Sequence, residues 1–400
     1  MRDDPAPASG RDHQVRKTTC YMCACRCGID VHLRGGEVAW IEGNRDNPVN
    51  RGVLCAKGAA GIMQHTSPAR LRAPLLRTGP RGSGQFREIS WDEALALAAG
   101  WLKPLREAAP EKLAFFTGRD QSQSFPGWWA QAFGTPNWAA HGGFCSVNMA
   151  AAGIYSTGAA FWEFGAPDWN HAKLFLLFGV AEDHDSNPIK LGLGKLKARG
   201  VRVVGINPIR TGYNAVADDW FGITPGTDGL LIGALIHELL RTGRIDLDYL
   251  LRFTNAPALV VAGGAEDGLL MRDAQGRVLA LDRRTGAPAP LDDPDTQPDP
   301  AGEWQGHRTV LRLMAERYLS SDWAPEAVAE RCAIPAPRIR ALAAEIARVA
   351  FDEAVTLDRP WTDHRGQRHA QMVGRPVAFH AMRGISAHSN GFQTARMLHA

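Results

Sequence analysis

Five cysteines within the first 55 residues constrain this chain more than any other feature. They read Cys20-Tyr-Met-Cys23-Ala-Cys25-Arg-Cys27 and then, after 27 intervening residues, Cys55-Ala-Lys57-Gly58. Thiols at short irregular spacing, completed by one distant thiol, converge on one site only when the backbone curls around it, as a loop does around a cubane cluster. Cys20, Cys23, Cys27 and Cys55 are therefore assigned as ligands of a [4Fe-4S] cluster. Cys25, one residue removed from each neighbour, is left as a small, partly buried side chain. Structural zinc is the alternative, but it usually presents two separated Cys-x2-Cys knuckles, whereas here a compact triple meets a single thiol.

Seven cysteines, five of them in this stretch, suit a reducing compartment where thiols bind metal instead of pairing. Residues 1–15 carry neither an apolar signal core nor a paired-arginine export signal and read as a disordered leader, so the expected location is cytoplasmic. The longest apolar run, Leu174 to Ala181, is too short for the roughly 20 residues that cross a bilayer, and no membrane span is expected. With 45 basic against 42 acidic residues there is no dominant basic field, which argues against a nucleic-acid partner.

After the cysteines, Ile29-Asp-Val31-His-Leu33 and Val38-Ala-Trp40-Ile41 alternate about Gly35-Gly36, predicting a hairpin in a small β-rich cluster domain over 16–72. A basic connector follows, with Arg70, Arg72, Arg77 and Arg81 either solvated or anion-binding. Ser90-Trp-Asp-Glu93 is a capping box opening a helix. From Lys173 to Gly243 strand and helix patterns alternate: Leu174–Phe178, a helix over Pro188 to Arg199, Val201–Ile206, and a helix over Asp228 to Leu240. This predicts an α/β, doubly wound fold with ligand loops at the strand carboxyl ends. Those loops hold Gly179, Glu182, Ser186, Asn187 and Pro188, then Asn207, Pro208 and Arg210, then Gly226, Thr227 and Asp228. Helix-start amides suit phosphates and an acid beyond a strand suits a ribose or guanine edge, although each loop could equally cap its helix. The expected domains are an α/β nucleotide-binding domain over 141–344, with a surface insertion over 255–310, and a discontinuous α/β domain over 73–140 plus 345–400.

The cysteine pattern with Lys57-Gly58, the run Arg77-x3-Arg81-Gly-x-Gly84-x-Phe86-x2-Ile89-Ser90-Trp91-Asp92-Glu93, and the Asp185-Ser-Asn-Pro188, Asn207-Pro208-x-Arg210 and Pro225-Gly-Thr-Asp228 loops together are specific. The chain resembles the molybdenum or tungsten bis-pterin oxidoreductases, the dimethyl sulfoxide reductase family, over nearly its whole length. That resemblance implies a molybdenum (or tungsten) bis(molybdopterin guanine dinucleotide) cofactor beside the [4Fe-4S] cluster. Asn207 and Asp228 would take ribose and guanine edges, while Gly179, Ser186 and Pro188 would approach the pyrophosphate. Glu182, Asn187, Pro208, Arg210, Gly226, Thr227, Arg383 and Gly384 would complete the cofactor contacts.

By the same resemblance Cys145 would ligate the metal, a soft thiolate beside the pterin sulfurs, and otherwise would be a core thiol. Lys57 would lie between cluster and pterin, or else be solvated. His388 is a candidate proton donor as readily as a structural histidine. The resemblance implies a small-molecule substrate, with thiosulfate, polysulfide or nitrate favoured, and an external electron-transfer protein or subunit. Formate oxidation is demoted because Ser146 stands where formate dehydrogenases carry histidine. The family continues into a further pterin-binding domain after the point where this chain stops, so a missing C-terminal domain is expected. An electron-transfer component without its own turnover is the alternative of another class.

Overall fold

The computed structural model describes residues 12–23, 25–118, 124–145, 147–160, 167–180, 187–210, 212–363, 366–381 and 383–400, with the backbone alone at 124, 144, 145, 187 and 383. Two compact units are formed, residues 1–147 with 182–195 and residues 148–181 with 196–400.

The first unit begins with an antiparallel sheet of β1 (His13–Thr19), β2 (Gly28–Arg34) and β3 (Glu37–Gly43), turning between β2 and β3 at Gly35-Gly36 as the alternation predicts. Ile29 is buried in β2, and it packs with Cys20 and Cys27 and with the partly buried Met22, Val31, Ile41 and Leu54. A short helix, α1 (Ala56–Ala59), starts directly after Cys55. Helix α2 (Trp91–Ala108) begins where the capping box places it, with the Ser90 hydroxyl accepting from the Glu93 amide at 3.1 Å.

The second unit is organised by a four-stranded parallel sheet. Helix α3 (Val147–Thr157) precedes β4 (Leu174–Phe178) in sequence; helix α4 (Asn187–Ala198), which up to Lys195 belongs to the first unit, comes next in sequence, followed by β5 (Arg202–Ile206). Then come β6 (Asp219–Phe221), α5 (Asp228–Arg241), α6 (Pro325–Cys332), α7 (Ala336–Asp352), β7 (Val377–Ala381) and α8 (Gly391–His399). Spatially the sheet runs β6-β5-β4-β7. All five residues of β4 are buried, as its unbroken apolar run requires of a strand covered on both faces. Leu174, Leu176 and Phe178, with Val204 and Ile206, pack against Leu231 and Leu235 of α5, Val328 and Cys332 of α6, and Ile339, Leu342 and Ile346 of α7. Cys332 is thus a core thiol. Burying side chains of this size stabilises by about 1.5–3 kcal/mol each, which makes this core the principal source of the unit's stability. The 255–310 region is a set of small hairpins, including Leu279–Asp282 paired with Ala287–Pro290. Among the described residues no helix is long and apolar enough to cross a membrane.

Candidate cofactor sites

In the first unit the cysteine loop is closed at its base, where the Cys20 amide donates to the Cys27 carbonyl at 2.8 Å. Cys20, Cys27 and Cys55 are buried, and Cys23 is half-buried. Arg26, in the left-handed region at φ 50°, turns the chain, and its guanidinium donates to the carbonyls of Cys23 (2.8 Å) and Tyr21 (3.1 Å). The two halves of the motif are joined by Asn50, which is fully buried. Its Oδ1 accepts from the Gly28 amide (2.8 Å), and its Nδ2 donates to the carbonyls of Gly28 (3.0 Å) and Val53 (2.9 Å). Neither Arg26 nor Asn50 carries a motif in the sequence; Asn50 only ends the turn-rich run Asn47-Pro-Val-Asn50.

Soft sulfur donors in an apolar shell of Met22, Ile29, Val31, Ile41 and Leu54 suit an iron–sulfur cluster. Among the described residues no three His, Cys, Asp or Glu side chains converge closely enough to hold one metal ion. Lys57 lies half-buried on α1, two residues beyond Cys55.

In the second unit the described residues of the predicted loops follow the carboxyl ends of the strands. Gly179, at φ +64°, ends β4 with its amide donating to the Ile206 carbonyl at 3.0 Å. A Cβ on Gly179 would stand 3.2 Å from the Cα of Gly384, so the turn after β4 meets the short helix Arg383–Ser386, which follows β7, backbone to backbone. Asn207, buried at the end of β5, donates from its amide nitrogen to the Ile209 carbonyl (3.0 Å), and its own carbonyl accepts from the Trp220 indole (2.9 Å). Pro208 and Arg210 are exposed. Thr227 stands at the N-cap of α5 without capping it, since its hydroxyl donates to the Thr224 carbonyl. Asp228 is buried in the first turn of α5. Desolvation raises its carboxyl above the ordinary carboxylate range, against a smaller lowering from its own amide and from His388.

His388 is half-buried, and its Nδ1 lies 3.5 Å from where a Cβ on Gly226 would be. Asn390 donates to the Gly226 carbonyl at 2.9 Å, and Asn148 of α3 donates to the carbonyls of Ser386 and His388. The structure therefore brings Gly226, Asp228 and His388 into one neighbourhood, and Gly179 and Gly384 into another. Glu182, Ser186, Ser146 and the side chains of Cys145, Asn187 and Arg383 lie outside the described residues. Pro188 is in the first turn of α4, which up to Lys195 belongs to the first unit. The buried acid Asp228 near Gly226 and the buried amide Asn207 just past β5 are polar groups that suit the edges of a nucleotide better than a bulky apolar ligand.

Residues 13–66 match the molybdopterin oxidoreductase Fe4S4 domain, and residues 70–394 match the molybdopterin oxidoreductase domain. The chain belongs to the molybdopterin oxidoreductase family. The cofactors of these domains are a 4Fe-4S cluster and a molybdenum–molybdopterin group. Among relatives, a sulfite dehydrogenase subunit of Allochromatium vinosum is 48% identical over 98% of this chain and 43% of its own length. The thiosulfate reductase molybdopterin-containing subunit of Salmonella typhimurium is 28% identical over 59% of this chain and 31% of its own. A nitrate reductase of Symbiobacterium thermophilum is 31% identical over 60% and 32%. The chain spans less than half the length of these curated relatives. Acetylene hydratase from Pelobacter acetylenicus shares the fold, with a TM-score of 0.63 at 16% identity over 96% of this chain and 42% of that one.

Proposed function

We propose that this chain carries the cluster-binding and nucleotide-binding portion of a molybdopterin-dependent catalytic subunit that acts on an inorganic oxyanion, with sulfite as the first substrate. The observation that carries the substrate is the 48% identity, over 98% of the chain, to a sulfite dehydrogenase subunit. The thiosulfate and nitrate reductases are more distant, so the acceptors favoured from sequence take second place. Formate takes third, because Ser146 stands in place of histidine.

When bound, the molybdenum–molybdopterin group supplies two-electron exchange with substrate and the cluster passes electrons onward singly. The chain's own residues hold and insulate these groups. Cys20, Cys23, Cys27 and Cys55 hold the cluster in its apolar shell, and Cys145 offers a thiolate to the molybdenum. Lys57 places an ammonium beside the cluster loop, where it favours arriving negative charge. Gly179, Gly226, Thr227, Gly384, Asn207 and Asp228 would receive one guanine nucleotide arm, and Pro208, Arg210, Glu182, Ser186, Asn187, Pro188 and Arg383 are the further cofactor contacts that the family resemblance implies. Oxidation of sulfite takes its new oxygen from water and releases two protons with two electrons; His388 would take one of those protons. A separate electron-transfer protein or subunit must accept the electrons.

The test is metal, acid-labile sulfide and guanine analysis of anaerobically produced protein, followed by turnover assays. About four iron and four sulfide with one molybdenum per chain are expected, and sulfite-dependent reduction of an artificial acceptor should exceed viologen-driven reduction of thiosulfate or nitrate. Iron without molybdenum or guanine would favour an electron-transfer component, and zinc alone would sink the redox reading.

A further inference from the structure

Asn214 belongs to none of the motifs above, yet it is among the most completely buried polar residues of the second unit. It closes the 3-10 turn Gly212–Asn214 in the loop after β5 and is 0% exposed. Its Nδ2 donates to the carbonyl of Val180 at 3.0 Å, while its buried Oδ1 has no hydrogen-bond partner among the described residues. Burying an amide with half of its capacity unspent costs stability, so a merely space-filling role would be served better by an apolar residue.

The partner explains the residue. The ladder of β4 with β5 ends at Gly179, whose amide makes the last bond, to Ile206. Val180 is buried and beyond the ladder, so its carbonyl needs a donor that no strand supplies. Asn214 supplies one. The backbone beneath is cleared for it. A Cβ on Gly205 would lie 2.1 Å from the Asn214 Oδ1, and glycine inside a strand commonly marks such a close approach. Gly205 lies one residue before Ile206, in register with Leu177 of β4. The pair Gly205 and Asn214 thereby fixes how the chain leaves the sheet after Gly179.

We infer that Asn214 is a positioning residue for the nucleotide arm, acting through the Val180 carbonyl and seated by Gly205. It couples the loop after β4 to the loop after β5, the two segments that carry Gly179 and Asn207, without touching the nucleotide itself. The inference rests on the nucleotide-binding reading proposed above.

The test uses the full chain and three variants, N214A, G205A and the double variant, with two readouts: amide exchange across residues 179–180 and 206–214, and calorimetric affinity for GDP. Loss of one tether of ordinary hydrogen-bond strength should speed exchange and weaken GDP about ten-fold in N214A. G205A, which keeps the amide but pushes it off its seat, should do the same. The double variant should be no worse than N214A, because truncating the amide makes room for the new methyl; a general loss of packing would add instead. Additive losses, or GDP held equally by wild type and N214A, would overturn the role of Asn214 alone. A wild-type chain that binds no GDP would overturn the nucleotide reading and this role with it.

Discussion

A buried imidazole with no partner costs stability, and His380 of β7 is one: it is 4% exposed, both ring nitrogens lack hydrogen bonds among the described residues, and burial pushes its pKa down to about 4 from 6.5. The unfolded chain takes up a proton near pH 6.5 and the folded chain only near pH 4. Between those values the unfolded state holds more protons, so stability rises with pH and is lost as pH falls through this window. The shift corresponds to about 3 kcal/mol. Replacing the ring with an apolar one of similar size removes both the titration and the unpaired nitrogens, which can be neutral or stabilising. H380F should therefore match or exceed wild type at pH 7 and outlast it increasingly toward pH 4.5, measured as the urea midpoint against pH. Parallel curves for the two proteins would mean that the folded ring titrates as an exposed histidine does.

At the level of elements, the Gly179 and Gly384 crossing makes a sharper demand. A Cβ on Gly384 would stand 2.6 Å from the Gly179 carbonyl oxygen and 3.0 Å from its Cα, and backbone cannot yield as a flexible side chain can. G384A should cost about 1–3 kcal/mol and lower bound guanine while iron and sulfide remain, as read by elemental analysis against released nucleotide; equal loss of both would point to general misfolding instead. Gly179 is legible in the sequence as a loop residue, and β4, β5 and α5 as elements, because an unbroken apolar run, a β-branched run and a Gly-terminated helix each carry a local signal; Gly384 enters only through the family resemblance, and it lies in the short helix Arg383–Ser386. Asn50, Asn148 and Asn214 are not legible there. An asparagine in a turn or at a helix start looks the same whether its amide meets water or, as here, a carbonyl 238 residues away for Asn148 and 34 for Asn214, and only tertiary packing decides which. Arg26 escaped for a related reason, since arginine carries no preference for the left-handed conformation that its place in the cysteine loop imposes.

For the whole chain, the two units differ in what can hold them folded. The large apolar core belongs to the second unit. Around the cysteine loop the described core is Cys20, Cys27 and Ile29 with a few partly buried neighbours, and two of those three are thiols assigned to the cluster. A domain of about 50 residues with so small a core is marginal on hydrophobic burial alone, and binding energy from a metal group then becomes folding energy. Stripping iron with a chelator and oxidant should therefore abolish protection of the 13–66 amides in hydrogen exchange, while the amides of β4, β5 and α5 keep theirs. Calorimetry should show the same division, with the transition of the α/β unit retained after iron is removed and an earlier, cluster-dependent transition lost. Protection lost together in both regions would mean that the cluster stabilises the second unit as well. Unchanged protection in 13–66 would mean that the thiol loop is built without its metal, and the cysteines would then contribute to redox chemistry but not to folding.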